Sequence, residues 1–388
     1  MRAARSLRVL FVVQGEGRGH QTQALALAPM LRTRGHKVVG AIVGVGRWGD
    51  VPTFFRRGLN APVETVESPG FVSGDDGRIR PASTVAKAIR EVGRYRRSLD
   101  QISRTIDRVE PDVIVNFYEG LMGAHTLLRV TDAPVVAVGH QFMASQPGYP
   151  SVAGQPAQRV AMNAYTRLVA AGTTSRLALS FYDAEHATAT VTPPLLRSSL
   201  FALEGRPTDG SILVYLMDGS MAPDLVAWSD RNPGVRIHAF SSSRPHEHST
   251  ALTFHGLSGT AFLERMSVAR GVVCTAGFET VSEAMWLGVP ALMTPTPGHY
   301  EQRCNAVDAA ASGAGVMSDT IGLDPLLDAL EAEPPDPASF RRWVGRAGPI
   351  AVGAVEDAAG LPQLPPSAGD GAVTGLEVDA PAVRAAPA

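Results

Sequence analysis

Short apolar runs separated by polar or glycine-rich stretches recur along the first half of the chain. "RVLFVV" at residues 8–13, "HKVVGAIVG" at 36–44, "DVIVNFY" at 112–118 and "PVVAVGH" at 134–140 are continuous and rich in β-branched residues. Such runs suit strands buried on both faces, as in a parallel sheet. A helical stretch from about His20 to Arg34 lies between the first two, and the alternation predicts βαβ units. Pro29 sits inside that helix, where its ring removes a backbone hydrogen bond at a cost of about 3 kcal/mol unless the helix bends. A kink is expected there, not an end.

"REVGRYRRSLDQISRTIDR", residues 90–108, places Val92, Tyr95, Leu99, Ile102 and Ile106 at three- and four-residue spacing, with arginines elsewhere. This predicts an amphipathic helix with a basic outer face. That face reads first as solvated, and second as a docking place for an anionic acceptor or membrane surface. "TVTPPLLRSSLFALEGRPTDG" reads as a linker near residues 192–210. Beyond it "SILVYLMDG", "VRIHAFSS", "RGVVCTAG" and "PALMTP" are predicted strands with helices between them. The expected organisation is α/β, with two Rossmann-like α/β/α domains at 1–200 and 208–358 facing across a cleft. The segment 361–388 is Pro-, Ala- and Gly-rich without hydrophobic periodicity, and is expected to be disordered.

Composition narrows the classes. The 388 residues are 45% hydrophobic and 19% charged, enough apolar material for two cores. A formal net charge of −2 gives no reason to expect nucleic acid as a partner. The two cysteines, Cys274 and Cys304, cannot build a disulfide framework or a four-cysteine zinc site, which favours a reducing, cytoplasmic setting. "MRAARSLRVLFVV" has the outline of a secretion signal, but its apolar run stops at Gln14 and reads as a buried strand. No window reaches the length of a membrane-spanning helix.

"GEGRGH", residues 15–20, follows the first strand and opens the first helix. A dinucleotide fingerprint fails on spacing, because counting from Gly15 through Gly17 puts His20 at the third glycine position, and from Gly17 through Gly19 puts Thr22 there. What remains is a histidine in the first turn of a helix, at the carboxyl end of a first strand, where open α/β sheets keep their ligands.

"CTAGFETVSEAMWLGVPALMTPTPGHYEQRCNA", residues 274–306, is the most informative segment. A strand ends at Cys274, Gly277 allows a turn, and a helix begins near Phe278, Glu279 and Thr280. Free N–H groups and the positive end of the helix dipole there suit a diphosphate. Glu283, one turn on, has two oxygens for the vicinal hydroxyls of a ribose. His299, Glu301 and Gln302 in the next loop are placed for sugar hydroxyls.

This segment resembles the donor motif of the MurG-like and UDP-glycosyltransferase superfamily, whose fold is called GT-B: Gly277 and Glu283 have its six-residue separation, and Glu301-Gln302 followed by Asn305 completes it. "GRGH" and "RTRGHKV" resemble the same superfamily's amino-terminal loop, and "NFYEG", "GHQ" and "PPLLR" resemble its uncharacterised bacterial and archaeal branch. One departure is Glu279, where plant-type members place an asparagine beside the phosphates; a carboxylate there must turn away, meet a cation, contact the sugar or cap the helix.

The resemblance implies an inverting, metal-independent glycosyltransferase (a hexosyltransferase) that takes a nucleotide sugar, by default UDP-linked, as co-substrate and needs no other cofactor. His20 is then the general base, kept neutral near a helix amino terminus. Glu119 of "NFYEG" is the candidate support for it, with Asn116 standing where relatives often show an aspartate. Gly17, Gly19, Asn116, His140 and Gln141 are the acceptor-side candidates. Gly219 and Ser220 of "MDGS" join Gly277–Thr280 in stabilising the leaving diphosphate, and Leu257 of "FHGLSG" lies where relatives hold the base. The acceptor is expected to be a small molecule, and the basic helix favours an anionic one. The Arg-rich, Ala-rich composition suits a high-GC bacterium, where specialised metabolism is a common setting. No D-x-D or H-E-x-x-H spacing points to a metal; Asp75-Asp76 reads as a turn, and "HEH" at 246–248 is weak evidence for zinc. Two alternatives stay open: a UDP-N-acetylhexosamine 2-epimerase-like isomerase, and a noncatalytic nucleotide-sugar-binding scaffold.

Overall fold

A computed structural model of the chain describes residues 5–46, 49–70, 83, 86, 87, 90–216, 221–242, 251–332 and 336–361. Two sheets organise them. The first holds β1 (Arg8–Gln14), β2 (Lys37–Val45), β3 (Val63–Glu67), β4 (Val113–Phe117), β5 (Val135–Gly139), β6 (Ser175–Leu179) and β7 (Thr190–Thr192), in the order β3-β2-β1-β4-β5-β6-β7. The second holds β8 (Ile212–Leu216), β9 (Ile237–Ser241), β10 (Leu252–His255), β11 (Gly271–Cys274), β12 (Ala291–Met293) and β13 (Gly315–Met317), in the order β10-β9-β8-β11-β12-β13. Every strand pair is parallel. This is the two-domain α/β architecture expected of GT-B.

Six helices position the site and are labelled in chain order: α1 (Gly19–Thr33), α2 (Val92–Val109), α3 (Gly120–Leu128), α4 (Phe278–Leu287), α5 (Tyr300–Ala311) and α6 (Ala347–Ala358). α1 continues through Pro29 without ending. α2 buries Leu99, Ile102 and Ile106 as its periodicity requires, whereas Val92 at its start stays exposed. Part of its basic face is neutralised by ion pairs of Arg94 with Glu91 and of Arg108 with Glu64.

The first core is built on β1, in which Val9 to Val13 are all fully buried and Phe11 meets the Phe117 ring edge-on at 5.1 Å. Burial on both faces explains the unbroken apolar run. The segment read as a linker is more ordered than that: Thr190–Thr192 forms the edge strand β7, and Leu195, Leu196 and Leu200 are buried in the first core. Pro193 and Pro194 follow the edge strand, where missing N–H donors cost least. At the other end, α6 leaves the second half in sequence and packs on β4 to β7 and α1. Glu356 on α6 receives Arg34 Nη2 and His36 Nε2, each at 3.0 Å, tying the carboxyl end of the chain to the first half.

In each sheet the strand order reverses between two neighbours, β1 and β4 in one and β8 and β11 in the other. Loops leaving such a pair diverge to opposite faces and open a crevice at the strands' carboxyl ends. The loops after β1, β4 and β11 carry "GEGRGH", "YEG" and "TAG"; Gly219 and Ser220, after β8, lie outside the described residues. So do residues 362–388, Asp75-Asp76 and His246–His248.

Candidate functional site

The loop after β1 passes through Gly17, at φ 79°, and enters α1 at Gly19. His20 occupies the first turn, and its half-buried ring lies nearly parallel to Tyr118, with centroids 5.6 Å apart. Tyr118 holds φ 59°, a left-handed conformation that L-residues rarely take. Its counterpart after β11, Ala276, holds the same φ of 59°. Both loops therefore turn on a strained residue within two positions of the strand's end.

His20 Nδ1 lies 3.3 Å from Gln23 Oε1, and Gln23 Nε2 donates to Glu279 Oε1 at 2.8 Å. Gln23 belongs to α1 and Glu279 to the first turn of α4, so the two halves meet through this chain. Gly19 lies at this junction, where an added Cβ would make ordinary contact with Glu279 Cγ at 3.4 Å. Burial pushes the His20 imidazole down to about 4 against the Gln23 hydrogen bond. The ring is neutral at pH 7, and with Nδ1–H donated to Gln23 it presents an Nε2 lone pair. Burial pushes the Glu279 carboxyl up to about 8 against its bond from Gln23, and Glu279 Oε2 has no hydrogen-bond partner among the described residues.

Glu119 is elsewhere than expected. It caps α3, its Oε1 accepting from Leu121 N at 2.9 Å and from Ser68 Oγ at 2.6 Å, and it is fully buried. The group at His20 Nδ1 is Gln23, not Glu119. Asn116 is also turned inward: its Oδ1 accepts from Glu119 N at 2.9 Å and its Nδ2 donates to Glu119 O at 3.2 Å. Its amide thus holds the β4 turn from a fully buried position. His140 is likewise occupied by protein contacts, not turned to an acceptor as expected. Its Nδ1 donates to Leu179 O at 2.7 Å, its Nε2 lies 3.2 Å from the Tyr149 hydroxyl, and its ring stacks on Phe278. It is a satisfied histidine in the wall between the halves.

Gln141 does face the second half, donating to Glu301 Oε1 at 3.0 Å. It also lines a cavity of about 320 Å3 together with Thr166, Arg167, Arg176 and His186. Among the described residues neither guanidinium is ion-paired. Thr166 joins this cavity to the His20 side, since its Oγ1 shares a hydrogen bond with the Tyr118 hydroxyl.

On the donor side Gly277 is the N-cap of α4 without a capping side chain, so the first-turn amides keep their donors for a ligand. Glu283 is buried and pairs with Arg197, whose Nε donates to Glu283 Oε1 at 2.6 Å. Thr280 is half-buried beside it, and Leu257 packs against the main core. His299 caps α5 by accepting from Gln302 N at 3.4 Å, and burial pushes its ring down to about 4. Gln302 Oε1 closes the same loop on Thr296 N at 2.8 Å. Asn305 Nδ2 donates to Ala276 O at 3.3 Å, bracing the strained turn. Burial raises Glu301 to about 7 against its bond from Gln141.

Gln23, Tyr118 and Arg197 were not singled out from the sequence. Gln23 lies three residues after His20 and so on the same helix face, a signal that was available. Tyr118 and Arg197 reach the site through backbone geometry and the return of the connecting segment, which no local pattern encodes.

Residues 7–332 match the model of a protein family described as glycosyl transferase family 1. The UDP-N-acetylglucosamine--N-acetylmuramyl-(pentapeptide) pyrophosphoryl-undecaprenol N-acetylglucosamine transferase of Rhodococcus opacus (strain B4) is 26% identical over 343 residues, covering 82% of this chain and 85% of the relative. Among solved structures, the glycotransferase of kitacinnamycin superposes with a TM-score of 0.59 at 17% identity, over 92% of this chain and 98% of its own. MurG of Acinetobacter baumannii does so with a TM-score of 0.53 at 17% identity, over 90% and 99%. Among the described residues no helix is long and apolar enough to cross a membrane, and no three His, Cys, Asp or Glu side chains group as metal ligands.

Proposed function

The chain belongs to glycosyl transferase family 1 and is a glycosyltransferase, and from that premise we propose that it transfers a sugar with inversion from a nucleoside diphosphate, UDP by default, to a hydroxyl of a small anionic acceptor. The observation that carries this reading is the hydrogen-bonded path from His20 through Gln23 to Glu279, which brings a neutral imidazole to the first turn of α4.

In the proposed reaction His20 Nε2 takes the acceptor's hydroxyl proton as that oxygen bonds to the anomeric carbon. The bond from this carbon to the diphosphate breaks on the opposite face, and the nucleoside diphosphate leaves with the electron pair. Unpaired amides at Phe278, Glu279 and Thr280 and the helix dipole stabilise the growing negative charge. Glu283 takes the ribose hydroxyls, and Glu301 and Gln302 the sugar. The arginine-lined cavity supports an acceptor with a phosphate or carboxylate, since Arg167 and Arg176 line it and neither is in an ion pair among the described residues. The R. opacus relative's name likewise specifies a pyrophosphoryl acceptor.

The test is incubation with a panel of nucleotide sugars and a pool of anionic acceptors, read by mass spectrometry for a sugar-sized gain. His20→Ala is the control. Transfer by the wild type and its loss in the variant are expected; undiminished turnover in the variant would remove His20 as the base.

A further inference from the structure

His20 can act as a base only in one of its two neutral forms. With the proton on Nδ1, Nε2 carries the lone pair; with the proton on Nε2, the ring offers no acceptor on that side. In the reading proposed above Nε2 is the atom that faces the acceptor, so the tautomer decides whether the site works. Two side chains set it. Gln23 Oε1 receives Nδ1–H, while Gln23 Nε2 is spent on Glu279 Oε1. A Gln amide has a donor end and an acceptor end, and turning it over would set its NH2 against His20 and its oxygen against the Glu279 carboxyl oxygen. In its ionised form Glu279 can only accept, and it then dictates which end of Gln23 meets the imidazole.

The position of Glu279 makes this dependence conditional. Gln23 and His20 share one face of α1 in the first half, whereas Glu279 belongs to α4 in the second. The neighbouring cation, Arg197, makes its ion pair with Glu283, its Nε donating to Glu283 Oε1 at 2.6 Å. Stacking on Tyr118 fixes the plane of the His20 ring but leaves the proton free to sit on either nitrogen.

We infer that Gln23 and Glu279 are positioning residues for His20, a split relay in which the second half sets the tautomer of a base carried by the first, so that the base is armed only when the two halves are together. The inference rests on His20 as the base. It gives a role to the carboxylate at residue 279, where plant-type members place an asparagine: an ionised carboxylate offers only acceptors, whereas an amide could also donate and would hold Gln23 in either orientation. It also couples the base to the helix turn assigned to the donor diphosphate.

The experiment reads the tautomer directly. Histidines are labelled with nitrogen-15, the His20 resonances are identified by their loss in His20→Ala, and proton–nitrogen couplings report which ring nitrogen is protonated. Nδ1–H is expected in the wild-type protein, and a shift toward Nε2–H in Gln23→Leu and in Glu279→Met. Turnover should fall at least about ten-fold in each, by kcat with the donor KM little changed, as for other bases left in the wrong tautomer. The two losses should not multiply in Gln23→Leu/Glu279→Met, since both variants break one series path. Gln23→Glu/Glu279→Gln restores the order of donors and acceptors and should recover both the Nδ1–H form and turnover relative to the single variants. Retention of Nδ1–H in Gln23→Leu, multiplicative losses, or no recovery in the exchange variant would overturn the relay. If His20→Ala instead turns over normally, the base assignment fails while the tautomer measurement still decides whether the relay exists.

Discussion

Phe278 and His140 stack face to face across the boundary between the halves, with centroids 4.1 Å apart and planes 19° from parallel. Phe278 is the first residue of α4 and His140 the first after β5. Phe181 leans on the same Phe278 ring at 4.7 Å. Around this stack the halves exchange polar contacts between neutral donors of the first and carboxyls of the second: Gln23 to Glu279, Gln141 to Glu301 and Tyr182 to Asp308. An aromatic centre with such a surround holds the crevice loops together.

Truncating that centre should loosen the whole boundary. Phe278→Ala removes a buried ring and leaves His140 without its stacking partner, for an expected loss of about 3–5 kcal/mol in urea unfolding. A loss under about 1 kcal/mol would mean that the boundary is held chiefly by its polar contacts.

Those contacts give the protein a pH signature. Burial raises Glu119 and Glu301 to about 7, Glu279 to about 8 and Asp308 to about 6, in each case against a hydrogen bond that lowers the value. Carboxyls whose folded values lie above their unfolded values stabilise fully below the unfolded value, and that stability is lost as pH rises through the folded one. Burial depresses His20, His140 and His299 to about 4, so their contribution is present above about 6.5 and lost as pH falls toward 4. Below pH 6.5 the two sets oppose each other. Between about 6.5 and 8 only the carboxyls titrate, and the melting temperature should fall, with a slope of up to about 1.4 kcal/mol per pH unit for each one. Glu279→Gln should flatten this alkaline decline; an unchanged profile would show that Glu279 is not among the groups responsible.

Gly44 makes room for a charge-bearing side chain. A methyl at this position would overlap Glu119 Oε2 and press on Ser68 Cβ at 2.9 Å. Gly44→Ala should therefore displace Glu119 from its cap on α3 and cost about 1–3 kcal/mol. In the background of Glu119→Ala the same methyl should be tolerated much better, giving a coupling energy of at least about 1 kcal/mol in a double-mutant cycle. Additive losses would place the clash elsewhere.

Strand positions were largely readable, because β1, β4 and β5 are buried on both faces and carry unbroken apolar runs. The donor-side segment was readable for a different reason: strand, turn and helix follow one another within one stretch, from β11 through Gly277 into α4. What could not be read was non-local. Whether Asn116 or His140 faces a ligand depends on where the Glu119 backbone, Leu179 O and Tyr149 arrive, and these are set by chain reversals that leave no periodic trace. The partner of His20 was sought on β4, where a carboxylate stood nearby in the strand order, but the left-handed turn at Tyr118 sends Glu119 under α3 and brings the tyrosine ring to the imidazole. The connecting segment was misjudged for its prolines, although its leucines are core.

Arg197 and Glu283 separate stability from donor binding. Glu283 is almost fully enclosed, and the Arg197 guanidinium is its charged partner at 2.6 Å. Arg197→Met strands that buried carboxylate and should cost about 3–5 kcal/mol in unfolding free energy, since a buried charge without its partner is penalised far more than a complete pair is worth. Glu283→Gln keeps an oxygen for Arg197 Nε and should cost much less. If the same carboxylate also holds the donor's ribose hydroxyls, the amide gives up one charge-assisted acceptor, and the KM for the nucleotide sugar should rise about ten-fold with kcat little changed. Measuring melting temperature and donor KM on both variants distinguishes the two roles. A Glu283→Gln enzyme with wild-type donor KM would leave Glu283 as the anchor of the connecting segment alone.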